Sequence, residues 1–356
     1  MRRGVTRILL FLLLAAGVAY GAYRMVGGIG GLVSFTLPDF PDLPPPQTEL
    51  RAGQSGTIYF ESATPFDLDV LIGDVRLARP TTAVGTLSLP ERTPATTPVP
   101  AMVIVHGSGG ITPGREPEYA KLLTRAGIAA FVIDYYLPRG ATQDVNYMIR
   151  VLSITEFDAI TDAYAALRLL QTDPDIDPNR IGIVGFSYGG MAARFSMDDR
   201  IERALAPRAP PFALHVDYYG PCFQNLNGTA ITGAPLLTLR GTADASNDLM
   251  ACARREDELR ALGADIETVV FEGAGHAWEA RIPRKLHTDA PYVSGCEVDY
   301  DERGHSFSDG AGIVDVPIET PRVARGDLAT ERAEIRTARP IDRAMFDLGE
   351  ETAASG

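Results

Sequence analysis

Arg180-Ile181-Gly182-Ile183-Val184 runs directly into Gly185-Phe186-Ser187-Tyr188-Gly189-Gly190 and then Met191-Ala192-Ala193. The apolar run predicts a buried β-strand, and the small residues after the glycines predict a helix. Between them stands G-x-S-x-G. A strand that turns this sharply into a helix brings the residues two before and two after the serine together, so side chains there would collide. Glycine at both places permits the turn and lifts Ser187 above the sheet, within reach of a base.

A serine nucleophile needs a base, an acid to orient the base, and amide donors for the oxyanion. When the serine sits on such a turn, the expected chain order is Ser, then Asp or Glu, then His. Pro235-Leu236-Leu237-Thr238-Leu239 reads as a strand, and Arg240-Gly241-Thr242-Ala243-Asp244 places an acid just beyond it. Val269-Val270-Phe271 reads as the end of another strand, and Glu272-Gly273-Ala274-Gly275-His276 presents a histidine after a glycine turn. Ser187, Asp244 and His276 are therefore the candidate triad. Asp248, four residues past Asp244, competes for the acid's place. Of the five histidines, His106 precedes the nucleophile, His215 lies inside an apolar strand, and His287 and His305 fall in an irregular C-terminal stretch.

Ile104-Val105-His106-Gly107-Ser108-Gly109-Gly110 follows a buried strand and has the H-G-x-G form of an oxyanion loop. The expected donors are the amide of Tyr188 and that of Ser108 or Gly109. The competing reading is a glycine-rich turn that serves close packing. The G-K-[ST] ending of a phosphate-binding loop is absent.

The 356 residues suffice for one large domain with extensions, or for two modest domains. Early strands are expected over 56–60 and 83–89, separated from the next by a Pro/Thr-rich loop. From residue 101 onward, strands over 101–105, 128–133, 180–184, 212–218, 235–239 and 266–271 alternate with helices over 117–126, 156–171 and 247–262. In the second helix Phe157, Ile160, Tyr164, Leu167 and Leu170 recur at helical spacing. Continuous apolar strands separated by helices predict a mostly parallel central sheet with helices on both faces, an α/β architecture.

The chain opens Met1-Arg2-Arg3-Gly4-Val5-Thr6-Arg7, and Ile8 to Tyr23 is uncharged and mostly apolar. Residues 1–26 read as a signal peptide or a signal-anchor helix. Residues 27–50, Gly-rich then Pro-rich, read as a tether. The main α/β domain is expected over 51–280, and 281–356 as an extension with an inserted loop or hairpin over 283–312 and a terminal helix over 329–343. Contact with a membrane is expected through the N-terminal segment if it is uncleaved. A net charge of −13, with no Lys/Arg cluster beyond the N-terminus, excludes a nucleic-acid partner. No C-x-x-C and no His/Cys cluster points to a metal. Of the three cysteines, two can pair and one is left over.

Together these residues resemble the dienelactone hydrolase family of α/β-hydrolases, especially its exported branch, over about residues 54–280. The resemblance rests on Val105-His106-Gly107-Ser108-Gly109-Gly110, Asp134-Tyr135-Tyr136-Leu137-Pro138-Arg139-Gly140, the Ser187 motif, His215-Val216-Asp217-Tyr218-Tyr219-Gly220-Pro221-Cys222, and Gly275-His276. It departs in two places. The dienelactone hydrolases proper use a cysteine nucleophile held by a glutamate, where this chain has Ser187 and His106-Gly107. The exported branch's acid loop, G-x-x-D-D-W-T-P, is here Gly241-Thr242-Ala243-Asp244-Ala245-Ser246-Asn247-Asp248.

The resemblance implies an α/β-hydrolase fold and serine hydrolase chemistry without a cofactor. The expected activity is cleavage of a small-molecule carboxylic ester or lactone through an acyl-enzyme. The alternatives are a peptidase or acyltransferase with the same triad, and an inactive tethered binding domain. The resemblance also implies that Arg139 clamps an anionic substrate, against the alternative of an ion pair that fixes its loop. Last, it places cysteines at positions matching Cys222 and Cys252. Cys222 follows the strand after the nucleophile helix and Cys252 lies in the helix after the acid loop, so a Cys222–Cys252 bridge is expected, with Cys296 free.

Overall fold

The computed structural model of the protein describes residues 40–91, 97–281 and 296–307. The signal or anchor expected over 1–26, most of the tether, and the helix expected over 329–343 lie outside the described residues. Among the described residues no helix is long and apolar enough to cross a membrane.

The chain runs through β1 (Gly56–Thr64), α1 (Leu68–Asp74), β2 (Arg79–Ser88), β3 (Val99–Val105), α2 (Glu116–Arg125), β4 (Ala129–Asp134), α3 (Tyr147–Ser153) and α4 (Glu156–Leu170). It continues through β5 (Ile176–Phe186), α5 (Tyr188–Phe195), α6 (Asp199–Leu205), β6 (His215–Tyr218), β7 (Gln224–Asn225), β8 (Leu236–Gly241), α7 (Leu249–Ala261), β9 (Ile266–Phe271), β10 (Val298–Tyr300) and β11 (Ser306–Phe307). The large sheet has the order β1-β2-β4-β3-β5-β6-β8-β9. β2 pairs antiparallel with β1 and β4, and every other pairing in that sheet is parallel. This is the α/β-hydrolase fold.

The central strands are buried on both faces, as their unbroken apolar runs predict. Successive side chains of a strand point to opposite sides, and the two cores divide accordingly. Ala101, Val103 and Val105 of β3 join one core with Phe157, Ile160 and Tyr164 of α4 and Met191 of α5. Met102 and Ile104 join the other with Ala120 and Leu123 of α2. Helix α4 starts at a capping box, Thr155 with Asp158, and is buried along nearly its whole length.

Three features differ from expectation. The last tether residues are part of the domain: the Gln47 amide donates to the Tyr59 carbonyl at 2.8 Å, and Leu50 is buried. The seven-residue helices α1, α3 and α6 appear where no helix was expected. Within the stretch taken as an extension, β10 and β11 make the antiparallel pair that a hairpin over 283–312 would give, but β10 also pairs parallel with β7, which ties it to the domain. This small sheet buries Tyr300 edge-on to Phe157 at 5.7 Å.

Candidate active site

In a parallel sheet, residues just past the carboxyl ends of the strands share one edge, and sites form there. Ser187 follows β5, the 106–110 loop follows the adjacent β3, Asp244 follows β8, and His276 follows β9.

Ser187 sits at φ 55° and ψ −116°, a conformation that non-glycine residues rarely adopt. Such strain costs about 1–3 kcal/mol and persists only where the surroundings fix it. The glycines make the turn possible. A Cβ on Gly185 would lie 1.9 Å from the carbonyl oxygen of Gly189, and one on Gly189 would lie 2.4 Å from that of Val105. The collision inferred from the motif is thus present in the geometry.

The three candidate residues meet. Nε2 of His276 is 2.8 Å from Oγ of Ser187, and Nδ1 is 2.9 Å from Oδ2 of Asp244. Asp244 is buried. It also accepts from the Asn247 side-chain amide at 2.9 Å and from the Ser246 backbone amide at 2.9 Å. Burial alone would raise its pKa. The hydrogen bonds and the charge of His276, with Asn247 and Ser246, outweigh burial and hold the carboxyl below its ordinary value. It therefore stays ionised, as an orienting acid must. Asp248 is otherwise engaged: it caps α7, accepting from the amides of Met250 and Ala251.

The 106–110 loop lies against the nucleophile. A Cβ on Gly107 would come within 3.3 Å of the Ser187 Cβ. Side chains hold the loop at several points. The Tyr135 hydroxyl donates to the His106 carbonyl at 3.2 Å, the Tyr136 hydroxyl to the Ser108 carbonyl at 3.1 Å, and the Gln143 amide to the Gly109 carbonyl at 2.8 Å. Oγ of Ser108 is 2.8 Å from the Tyr147 hydroxyl on α3. The Tyr188 amide opens α5, so it has no partner within the helix. Its side chain reaches the other way: the phenol donates to the buried carboxylate of Glu156, at the start of α4, at 2.5 Å.

The remaining histidines have other surroundings. His106 is buried and stacked on Tyr135 at 3.9 Å. His215 is enclosed within β6, with Nδ1 at 3.0 Å from Ser196 Oγ, and burial pushes its pKa down to about 4. His305 lies at the surface beside Asp301, and His287 lies outside the described residues.

Arg139 is not a substrate clamp. It is 1 % exposed, and its guanidinium makes five hydrogen bonds inside the protein. Two go to Asp162, at 2.7 and 3.1 Å, and the others to the Tyr135 and Ala63 carbonyls and to Thr64 Oγ1. A guanidinium has five N–H donors, so none is left for a ligand. The ion pair that fixes the loop is the reading that holds.

Cys222 and Cys252 form a disulfide with Cα atoms 5.0 Å apart, and Cys296 is free and exposed. The bridge ties the chain after β6 to α7, close behind the Asp244 loop. Asn247, Tyr147, Tyr219 and Glu156 were not singled out from the sequence. Asn247 stands in the acid's own loop and Tyr219 in the His215–Cys222 stretch that carries the resemblance, whereas nothing in the sequence marks Tyr147 or Glu156.

The sequence model of the dienelactone hydrolase family matches residues 88–305. A Bradyrhizobium protein named "Probable 2-oxo-3-(5-oxofuran-2-ylidene)propanoate lactonase" is 26% identical over 193 residues, spanning 51% of this chain and 73% of its own. The quorum-quenching protein AidA of Acinetobacter baumannii is 28% identical over 40% of this chain and 43% of its own. Among solved structures, the apo form of Thermogutta terrifontis esterase 2 is 18% identical, with a TM-score of 0.45 over 56% of this chain and 82% of that one. With its family's sequence model matched from β3 through β9 and over all three candidate residues, the chain belongs to the dienelactone hydrolase family, a family of carboxylic ester hydrolases.

Proposed function

We propose that the protein is an exported serine hydrolase that cleaves a small carboxylic ester or lactone through an acyl-enzyme. The observation that carries this reading is the unbroken chain of contacts from Ser187 through His276 to Asp244.

His276 Nε2 takes the Ser187 proton as Oγ attacks the substrate carbonyl. Asp244 holds Nδ1–H toward itself and stabilises the imidazolium that forms. The amides of Tyr188 and Ser108 receive the oxyanion, each worth about 3 kcal/mol in the transition state. His276 gives its proton to the leaving alcohol, or to the ring oxygen of a lactone. The oxygen–acyl bond breaks and the Ser187 ester remains. Water, deprotonated by His276, attacks that ester, and Ser187 recovers its proton as the acid leaves.

Export is supported by the basic start, Arg2, Arg3 and Arg7, ahead of an apolar run. It is also supported by the Cys222–Cys252 bridge, since such bridges persist in oxidising compartments. An alkaline phosphatase fused after Gly356 is expected to be active, and a silent fusion would remove the export reading. For the chemistry, a fluorophosphonate probe should label the protein at Ser187. A folded Ser187→Ala protein should neither label nor hydrolyse p-nitrophenyl acetate. Retained turnover in that variant would refute the assignment.

A further inference from the structure

Tyr219 is the residue just past β6, and its backbone is in the left-handed region at φ 43°. A bulky residue held there is strained, and an outlier of this kind beside a reactive centre points to a task. Its main chain is fixed at both ends. The amide donates to the Leu239 carbonyl at 2.8 Å, and the carbonyl accepts from the Asn247 side-chain amide at 2.8 Å. That same amide nitrogen is the donor 2.9 Å from Asp244 Oδ2. The fully buried Tyr219 ring stands edge-on to the His276 imidazole, with centroids 4.8 Å apart, and edge-on to Trp278 at 5.0 Å. Its hydroxyl donates to Oε1 of Glu279 at 2.6 Å. Oε2 of Glu279 is enclosed and has no hydrogen-bond partner among the described residues.

Glu279 is thus a second carboxylate near the base, three residues after it in the chain, and the steps proposed for the triad do not use it. We propose that Tyr219 and Glu279 are a positioning pair for His276. The phenol ring fixes the plane of the imidazole. The Glu279 carboxylate, held in place by the phenol, provides a further negative charge for the imidazolium that forms during acyl transfer. This rests on His276 being the base.

The surroundings leave that charge effective. Asp244 occupies the Nδ1 side of His276. Arg115 of the loop before α2 lies beside Tyr219 and Glu279, but its Nε is paired with Glu116 Oε1 at 2.8 Å, which offsets its charge. Tyr119, also packed here, is a neutral phenol at working pH, since burial raises its pKa. Burial raises the Glu279 pKa, with the Tyr219 hydrogen bond and then Arg115 opposing it. Removing the phenol hydroxyl therefore weakens the ionised form of Glu279 that the pair depends on.

The test uses the full chain with p-nitrophenyl acetate as probe. Glu279→Gln removes the charge and keeps the shape, and Tyr219→Phe removes one hydroxyl. In each, kcat is expected to fall roughly tenfold with KM unchanged. The His276 side chain is partly open to solvent, so screening holds the effect to roughly that size, below the value for a fully desolvated pair. In Glu279→Gln the acid limb of kcat/KM should also move to lower pH, since the imidazolium has lost a nearby anion. The double variant should be no slower than the slower single one, because the two side chains act as a unit. A purely structural role would lower Tm and leave the acid limb in place. If kcat per folded protein and the acid limb stay at wild-type values in both variants, the pair has no such role. If Glu279→Gln fails to fold, the kcat of Tyr219→Phe decides alone. Turnover in a folded Ser187→Ala control would instead overturn the triad reading on which the pair depends.

Discussion

Asp244 and Asp248 stand four residues apart in one loop, and their hydrogen bonds separate their duties. One orients His276 and the other closes the first turn of α7. Asp244→Asn is expected to lower kcat by about 10⁴, because the amide no longer holds the imidazole in the productive tautomer. Asp248→Ala should cost about 1 kcal/mol of stability, the usual value of an N-cap, with kcat unchanged. Parallel measurements of turnover and denaturation on the two variants check both statements. The candidate acid was legible in the sequence because it lies just past a strand end in the required order. What Asp248 does was not legible, since an aspartate before a helix looks the same whether it caps or catalyses. Arg139 shows the same limit. Its place near a strand end is visible in the chain, but the direction of its guanidinium depends on Asp162, Ala63 and Thr64, which are remote in sequence.

Among the elements, the long ones were legible and the short ones were not. Strands β3, β4 and the second half of β5 carry apolar runs because both faces are covered there, and α4 repeats its apolar residues over four turns. Helices α1, α3 and α6 have seven residues each, too few to show a period. Strands β7, β10 and β11 have two or three, and exist because of what they pair with. The disulfide joins the chain after β6 to helix α7. It closes a loop with a sequence separation of 30, for which chain entropy gives a stabilisation of about 3.5 kcal/mol. The Cys222→Ala/Cys252→Ala double variant is expected to unfold at correspondingly lower urea. Reductant should move the wild-type midpoint the same way and leave the double variant where it is.

At the scale of the whole molecule, buried titratable groups tie stability to pH. The His215 pKa is pushed from 6.5 to about 4 by burial. The unfolded chain therefore binds the proton more readily than the folded one. The stabilisation is fully present above pH ~6.5 and is lost as pH falls toward 4, by about 3 kcal/mol in all. Asp244 and Asp217 act in the same sense at lower pH, since both are held below their ordinary pKa in the fold. For Asp217, Arg240 and Arg194 outweigh the burial that opposes them. Urea midpoints from pH 7 to pH 4 should fall steadily, and His215→Gln should flatten the part between pH 6.5 and 5.

The small sheet has a practical bearing on how this polypeptide is shortened for recombinant work. Residues past 280 look dispensable from composition alone. Yet β10 hydrogen-bonds to the chain just after the bridged Cys222, and the turn at Gly304 packs so closely on α1 that a Cβ there would lie 2.6 Å from the Asp69 amide nitrogen. A fragment ending at Ala280 would uncover Phe157, which packs against Tyr300 in the main core, and leave β7 without the strand it pairs with. A greasy patch beside an unpaired strand invites association between copies. A fragment that retains β10 and β11 keeps that face covered, so a boundary drawn where the sequence turns polar falls inside the folded domain.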